Sequence, residues 1–247
     1  VVKENLGVPA ALVAGAALLT DYILLAAVAI SSGVAQIVSA FPDLFPYRVW
    51  ISIGLLGLIA VANLRGVKES GNTFAAPTYF FLGMTVLTVG VGFIRYISGT
   101  LGAVIDPPNI ETLHTEPLTL FLLLRACSNG TTALTGVEVI ANGVKSCKEP
   151  RTHNAIVTMI WISTILGALF LGIVFLLGEI GAVPSEAETV ISQLARTVFG
   201  NRGLLYLGTI TATTIILVLA TNTAFADFPR LSAIIAQDGY MPRQQAY

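Results

Sequence analysis

Six runs of this chain carry no charge at all: residues 5–20, 22–42, 49–64, 73–94, 154–178 and 203–226. The longer ones reach the roughly 20 residues that a helix needs to cross the hydrocarbon core of a bilayer. Backbone at that depth must satisfy its own hydrogen bonds, so the runs can only be helices packed in a membrane. Composition agrees with this reading. Hydrophobic residues make up 55% of the 247 and charged ones only 11%, with a mean hydropathy of +0.81, whereas soluble domains carry about 25% charge. The sequence therefore predicts an all-α membrane protein with six spanning helices at about 9–40, 48–64, 73–95, 118–143, 154–178 and 203–227, in a single transmembrane domain over 1–247. The span at 48–64 is short, and Arg48 and Arg65 at its ends can snorkel to lengthen it.

Positive charge sets the orientation. Lys3, Arg65, Lys68, Lys145, Lys148, Arg151, Arg230 and Arg243 fall on one side, against Arg48, Arg95, Arg196 and Arg202 on the other. The richer side is cytosolic, which places both ends of the chain in the cytoplasm and the protein in the plasma membrane. No basic tract points to nucleic acid, and no signal-peptide pattern opens the chain at Val1. Both ends read as cut from something longer. Cys127 falls in a span and Cys147 in a cytosolic loop, so a disulfide between them is not expected and both read as small apolar fillers. Residues 96–117 read as an extracellular connection. In 185–200, Val190, Ile191, Leu194 and Val198 recur at helical spacing behind a Ser185/Glu188 capping-box pair, which predicts an amphipathic interfacial helix serving as a lid-like loop element.

The span at 118–143 contains an anomaly. Ser128, Asn129, Gly130, Thr131, Thr132, Thr135 and Gly136 crowd into a few residues and end at Glu138. Glycines that permit non-helical backbone, together with hydroxyl and amide side chains, predict a broken helix lining a transport site. A resumed half-helix turns its positive end toward an anion, and carbonyls freed before it face a cation, so an amino-acid carboxylate and a metal ion both fit. Thr135 and Glu138 share a face at i, i+3, giving the oxygen-rich pair that hard cations prefer; the alternative is a Glu that clamps loosened amides. Asp21 lies about twelve residues, or roughly 18 Å, inside the first span. It reads either as a protonated carboxyl bonded to a neighbouring hydroxyl, or as a cation ligand and proton carrier. Tyr22 follows it with a phenolic oxygen. Arg125 reads as a buried cation paired within the bundle, and Asn222 as one partner of an interhelical hydrogen bond.

The string SNGTTALTGVEVIANGVKSCKEPRTHNA resembles the sixth helix and following cytosolic loop of the amino acid-polyamine-organocation superfamily. LATNTAFADFPRLSAIIAQDGYMPR at 219–243 resembles its eighth helix and the loop after it, and LLTDYILLAAVAISSG at 18–33 its third. The resemblance implies a LeuT-like fold with an inverted five-helix repeat, of which this chain would supply helices three to eight of twelve. Asp-Tyr in helix three with Thr-x-x-Glu in helix six is most similar to the KUP-type potassium importers. Carried over, Asp21, Tyr22, Thr135 and Glu138 would bind potassium, with Glu138 or Asp21 coupling the proton. The sequence departs from that pattern one and two turns after the Asp, where Leu25 and Ala29 stand in place of hydroxyls, with Ser31 and Ser32 offset. Some proton-coupled amino-acid permeases carry a Lys in helix five, and the corresponding span here has none.

The expected function is thus secondary active transport by alternating access, as proton-coupled import of an amino acid or potassium. A nutrient sensor or a channel built on the same fold is the alternative. No nucleophile–base pair, metal-ligand cluster or phosphate-binding glycine loop suggests an enzyme, and no cofactor is expected beyond a bound potassium or coupling proton. The expected partners are a small-molecule or ion substrate and membrane lipid, with a homodimer forming through regions outside this chain.

Overall fold

The structure is a computed structural model that describes residues 5–65, 71–104, 119–130 and 149–245. It is all helical, with no strand among the described residues. The helices are α1 (Val8–Ala40), α2 (Arg48–Leu64), α3 (Gly71–Ile97), α4 (Leu120–Gly130), α5 (Arg151–Ile180), α6 (Val190–Phe199) and α7 (Leu204–Gln237). By length and apolar composition, five stretches among the described residues can cross a membrane: Val8–Ala40, Pro42–Leu64, Phe74–Ile97, Thr152–Ile180 and Leu204–Gln237. These match five of the six predicted spans. The sixth is described only over α4.

The chain divides into two compact units, one of Val1–Pro108 with Glu179–Tyr247 and the other of Asn109–Gly178. The first contains α1, α2, α3, α6 and α7, and its spine is the pairing of α1 with α7. These two helices run antiparallel. A Cβ at Gly15 would lie 3.1 Å from the Ile235 side chain and one at Gly33 3.5 Å from that of Leu217, so positions 18 apart on each helix meet in opposite order. Small residues make the close approach, with Ala26 and Ala29 on α1 and Ala212, Thr221, Ala224 and Ser232 on α7 all buried. In lipid, apolar area offers no driving force between helices, and close packing of this kind is what holds them.

At 33 residues α1 is about 50 Å long, well beyond a hydrocarbon core of about 30 Å, so it crosses at a tilt or extends past the core. The last span is longer than expected: α7 continues ten residues past 227, through Pro229, to Gln237. Packing sustains it there, since Ser232 and Ala236 are buried and Ile235 meets Gly15, while Arg230 pairs with Asp227 at 3.1 Å across one turn. Large apolar side chains such as Trp50, Leu64, Tyr79 and Ile97 are exposed on the outer faces of the first unit, as a bilayer permits and water does not.

The expectation for 185–200 needs three corrections. First, the helix is capped by Thr189, whose hydroxyl accepts from the Ser192 amide, whereas Ser185 bonds the Ala187 amide and takes no part in the cap. Second, Glu188 does not reach back in a capping box; it accepts from the Ser192 hydroxyl and pairs with Arg196. Third, the polar face is not solvated, because Ser192 through Val198 are all buried. The helix ends on Gly200 at φ 76°, the left-handed conformation that glycine adopts without strain. Arg95 of α3 donates to the Val198 and Thr197 carbonyls at 2.7 and 3.1 Å, placing a cation on the negative end of α6. Arg95 and Arg196, counted above as outer-side charges, are thus structural partners within the bundle.

Candidate functional site

Asp21 and Tyr22 sit in the middle of α1, where the sequence placed them, but consecutive residues on a helix point about 100° apart and meet different surroundings. Tyr22 lines a cavity of about 350 Å³ between α1, α2 and α7. Its walls include Ala26 from α1, Leu56 from α2, and Phe225, Phe228 and Pro229 from α7. The lining is apolar apart from the phenol. Pro229 has no N–H and so withholds the amide that would otherwise bond the Phe225 carbonyl four residues earlier, loosening the α7 backbone at this wall.

Asp21 is not part of those walls. Its carboxylate is exposed on α1 and forms no hydrogen bond or ion pair among the described residues. The hydroxyl beside it, that of Thr20, is occupied by the Ala16 carbonyl at 2.9 Å. A carboxylate at mid-span costs several kcal/mol in hydrocarbon unless a proton, a cation or a polar partner compensates it. Ser32 shares the Asp21 face of α1, but eleven residues separate them, about 16 Å along the axis, too far for one ion to touch both. Leu25 and Ala29 occupy the intervening turns, and Ala29 is buried.

In the second unit, Ser128, Asn129 and Gly130 form the last described turn of α4 and are helical and exposed. Any break in this span therefore begins after Gly130. Thr131, Thr132, Thr135, Gly136 and Glu138 lie outside the described residues, as does Cys147. Cys127 on α4 is an exposed free thiol, so it does not fill a core position in this unit. Arg125 is likewise exposed, with no ion pair among the described residues; the intrabundle partner expected for it is not found there. Asn222 does make an interhelical bond: Asn63 Nδ2 donates to Asn222 Oδ1 at 2.7 Å, tying α2 to α7.

The structure also brings together polar groups whose partners were not legible in the sequence. At the end of the first unit where α6 packs, Glu188 and Arg196 pair at 2.9 Å, both about 10% exposed. The Ser192 hydroxyl gives its proton to Glu188 at 2.8 Å, so the Tyr206 hydroxyl, 2.8 Å away, is the donor to Ser192. Thr189 donates through its amide to Ser39 at 2.9 Å and through its hydroxyl to Gln36 at 3.0 Å. Gln193 exchanges two bonds with the Val183 backbone. The available signal was Gln36 and Ser39 at i, i+3 inside an apolar span, two polar residues in search of a partner.

Comparison with known proteins adds the family. A family model described as Amino acid permease matches residues 1–247. The potassium transporter KimA of Bacillus subtilis (strain 168) is 44% identical over 244 residues, which is 98% of this chain and 39% of that relative. The chain thus spans well under half the length of the curated relative it matches. With its helical, multi-pass architecture, the chain belongs to the amino acid permease family of the amino acid-polyamine-organocation superfamily.

Proposed function

We propose that this chain forms part of a secondary transporter that imports potassium with a proton by alternating access. The observation that carries this reading is the 44% identity to a potassium transporter over nearly the whole chain, joined to the Asp21-Tyr22 pair at the middle of α1. Potassium leaves water only for a shell of oxygens, and Asp21, Thr135 and Glu138 would offer two carboxylates and a hydroxyl, with the Tyr22 phenol, now turned to the apolar cavity, joining when α1 rotates toward the ion. The Ser128–Thr132 and Gly136 backbone would add carbonyls where the helix loosens.

Two carboxylates sharing one monovalent cation also supply the coupling. With potassium bound, both can ionise; without it, their mutual repulsion raises the affinity of one of them for a proton. Glu138 is the preferred proton carrier, with Asp21 as the alternative. Asp21 lacks any partner among the described residues, which leaves its carboxylate available as a ligand. Arg125 and Asn222 are structural in this scheme. The family description favours a second reading, with an amino acid as substrate, whose carboxylate would sit at the resumed half-helix after Gly136.

The test uses the full-length protein in vesicles. Glu138→Gln is expected to abolish rubidium uptake driven by a pH gradient, and Asp21→Asn to raise the KM for potassium at least tenfold. Wild-type kinetics in both variants would refute the assignment.

A further inference from the structure

We propose that the outer segment 183–199 is a fixed strap, fastened to α1, α3 and α7, and that it moves with them as one rigid body. An amphipathic helix between two spans invites the opposite reading, a lid that opens to admit substrate. A lid needs a hinge at one end and a face that is content in water when it swings out.

Neither condition holds for α6. It is fastened along its whole length to three different helices. Its N-terminal cap residue, Thr189, is bonded to Ser39 and Gln36 of α1. Its middle is bonded to Tyr206 of α7 through Ser192, and Tyr206 is itself fully buried, sharing its one proton between Ser192 at 2.8 Å and, more weakly, the Ser39 carbonyl at 3.3 Å. Its C-terminal carbonyls are held by Arg95 of α3. Beneath these bonds Ala40, Ala195, Tyr206 and Ile210 form one buried cluster with Phe199 against it. The strap is also bound to itself, since Gln193 holds the Val183 backbone on the approach to the helix.

The face that a swinging lid would expose holds the Glu188–Arg196 pair and the Ser192 hydroxyl between them. Lifting α6 would break the ties to all three helices together, because the bonds to α1, α7 and α3 lie at its start, middle and end, and Glu186 just before it pairs with Arg48 of α2 at 3.2 Å. Gating at the outer face must then come from other segments, and α6 fixes the spacing of α1, α3 and α7 while they move.

Because the inference rests on the transport reading, its test separates the two. Ser39→Cys and Thr189→Cys are introduced together into the full-length protein, where the native hydroxyls lie 3.5 Å apart. Oxidation is expected to form the disulfide and leave rubidium uptake within twofold of the reduced protein. Loss of uptake on oxidation with recovery on reduction would show a moving lid, and failure of the bond to form would remove the contact the proposal stands on. Spin labels at Ala187 and Ile97 provide a readout independent of transport: one narrow distance is expected with and without potassium, and exchange between two distances would overturn the strap. Uptake absent from the wild type, with a rigid label distance, would count against the transport reading alone.

Discussion

Replacing Glu188 by Gln removes one charge from a pair whose side chains are both about 10% exposed and 2.9 Å apart. Gln keeps an acceptor for the Ser192 hydroxyl, so the loss is concentrated on the Arg196 guanidinium, which gives up its 2.9 Å charge partner. Breaking one side of a buried pair typically costs 3–5 kcal/mol, and retention of the Ser192 bond places this variant near the lower end, at about 3 kcal/mol. For a unit of this size that corresponds to a fall of roughly 6–12 °C in melting temperature. An exposed pair would cost at most about 1 kcal/mol. Adding Arg196→Met removes the orphaned charge and fills the space, and neutral replacements of buried pairs are often tolerated without loss. The double variant is therefore expected within about 1 kcal/mol of wild type, a coupling of about 2 kcal/mol or more. Thermal unfolding in detergent, followed by gel filtration of the surviving fold, measures wild type, Glu188→Gln, Arg196→Met and the double variant. Additive losses, or a Glu188→Gln variant within about 1 kcal/mol of wild type, would refute the buried geometry.

Three further outcomes follow from the packing. Arg95→Met should cost about 2 kcal/mol in the same assay, since it removes charge-assisted bonds to the Val198 and Thr197 carbonyls, and Lys at this position should recover part of it. A Cβ at Gly208 would lie 2.9 Å from the end of the Met84 side chain, so Gly208→Val should destabilise by about 1–3 kcal/mol and Met84→Ala should relieve a good part of that loss. Asn222→Leu should cost about 1 kcal/mol through loss of the 2.7 Å bond from Asn63, and a double variant with Asn63→Leu should cost little more than either single change.

The spans were legible because bilayer thickness imposes a length that charge-free runs display directly; α2 and α3 begin and end within two residues of expectation. The end of α7 was not, because contacts with α1, invisible in the local pattern, carry the helix past Pro229. In α6 the period announced a helix but not its surroundings. A polar face of Ser192, Gln193 and Arg196 looks the same in sequence whether water or Glu188, Val183 and Tyr206 receives it. The Ser185/Glu188 spacing met a capping rule, but the cap is Thr189, four residues past Ser185 and next to the helix. Of the candidate site, Asp21 and Tyr22 were legible as polar groups at mid-span, but their divergence, Tyr22 on a cavity and Asp21 on the exposed face, required the helix and its neighbours.

The central claim, potassium as cargo, is tested most directly by tracer uptake into vesicles containing the full-length protein under an inward proton gradient. Rubidium accumulation is expected, suppressed by excess unlabelled potassium and untouched by excess amino acids. Accumulation of a labelled amino acid without rubidium would contradict it.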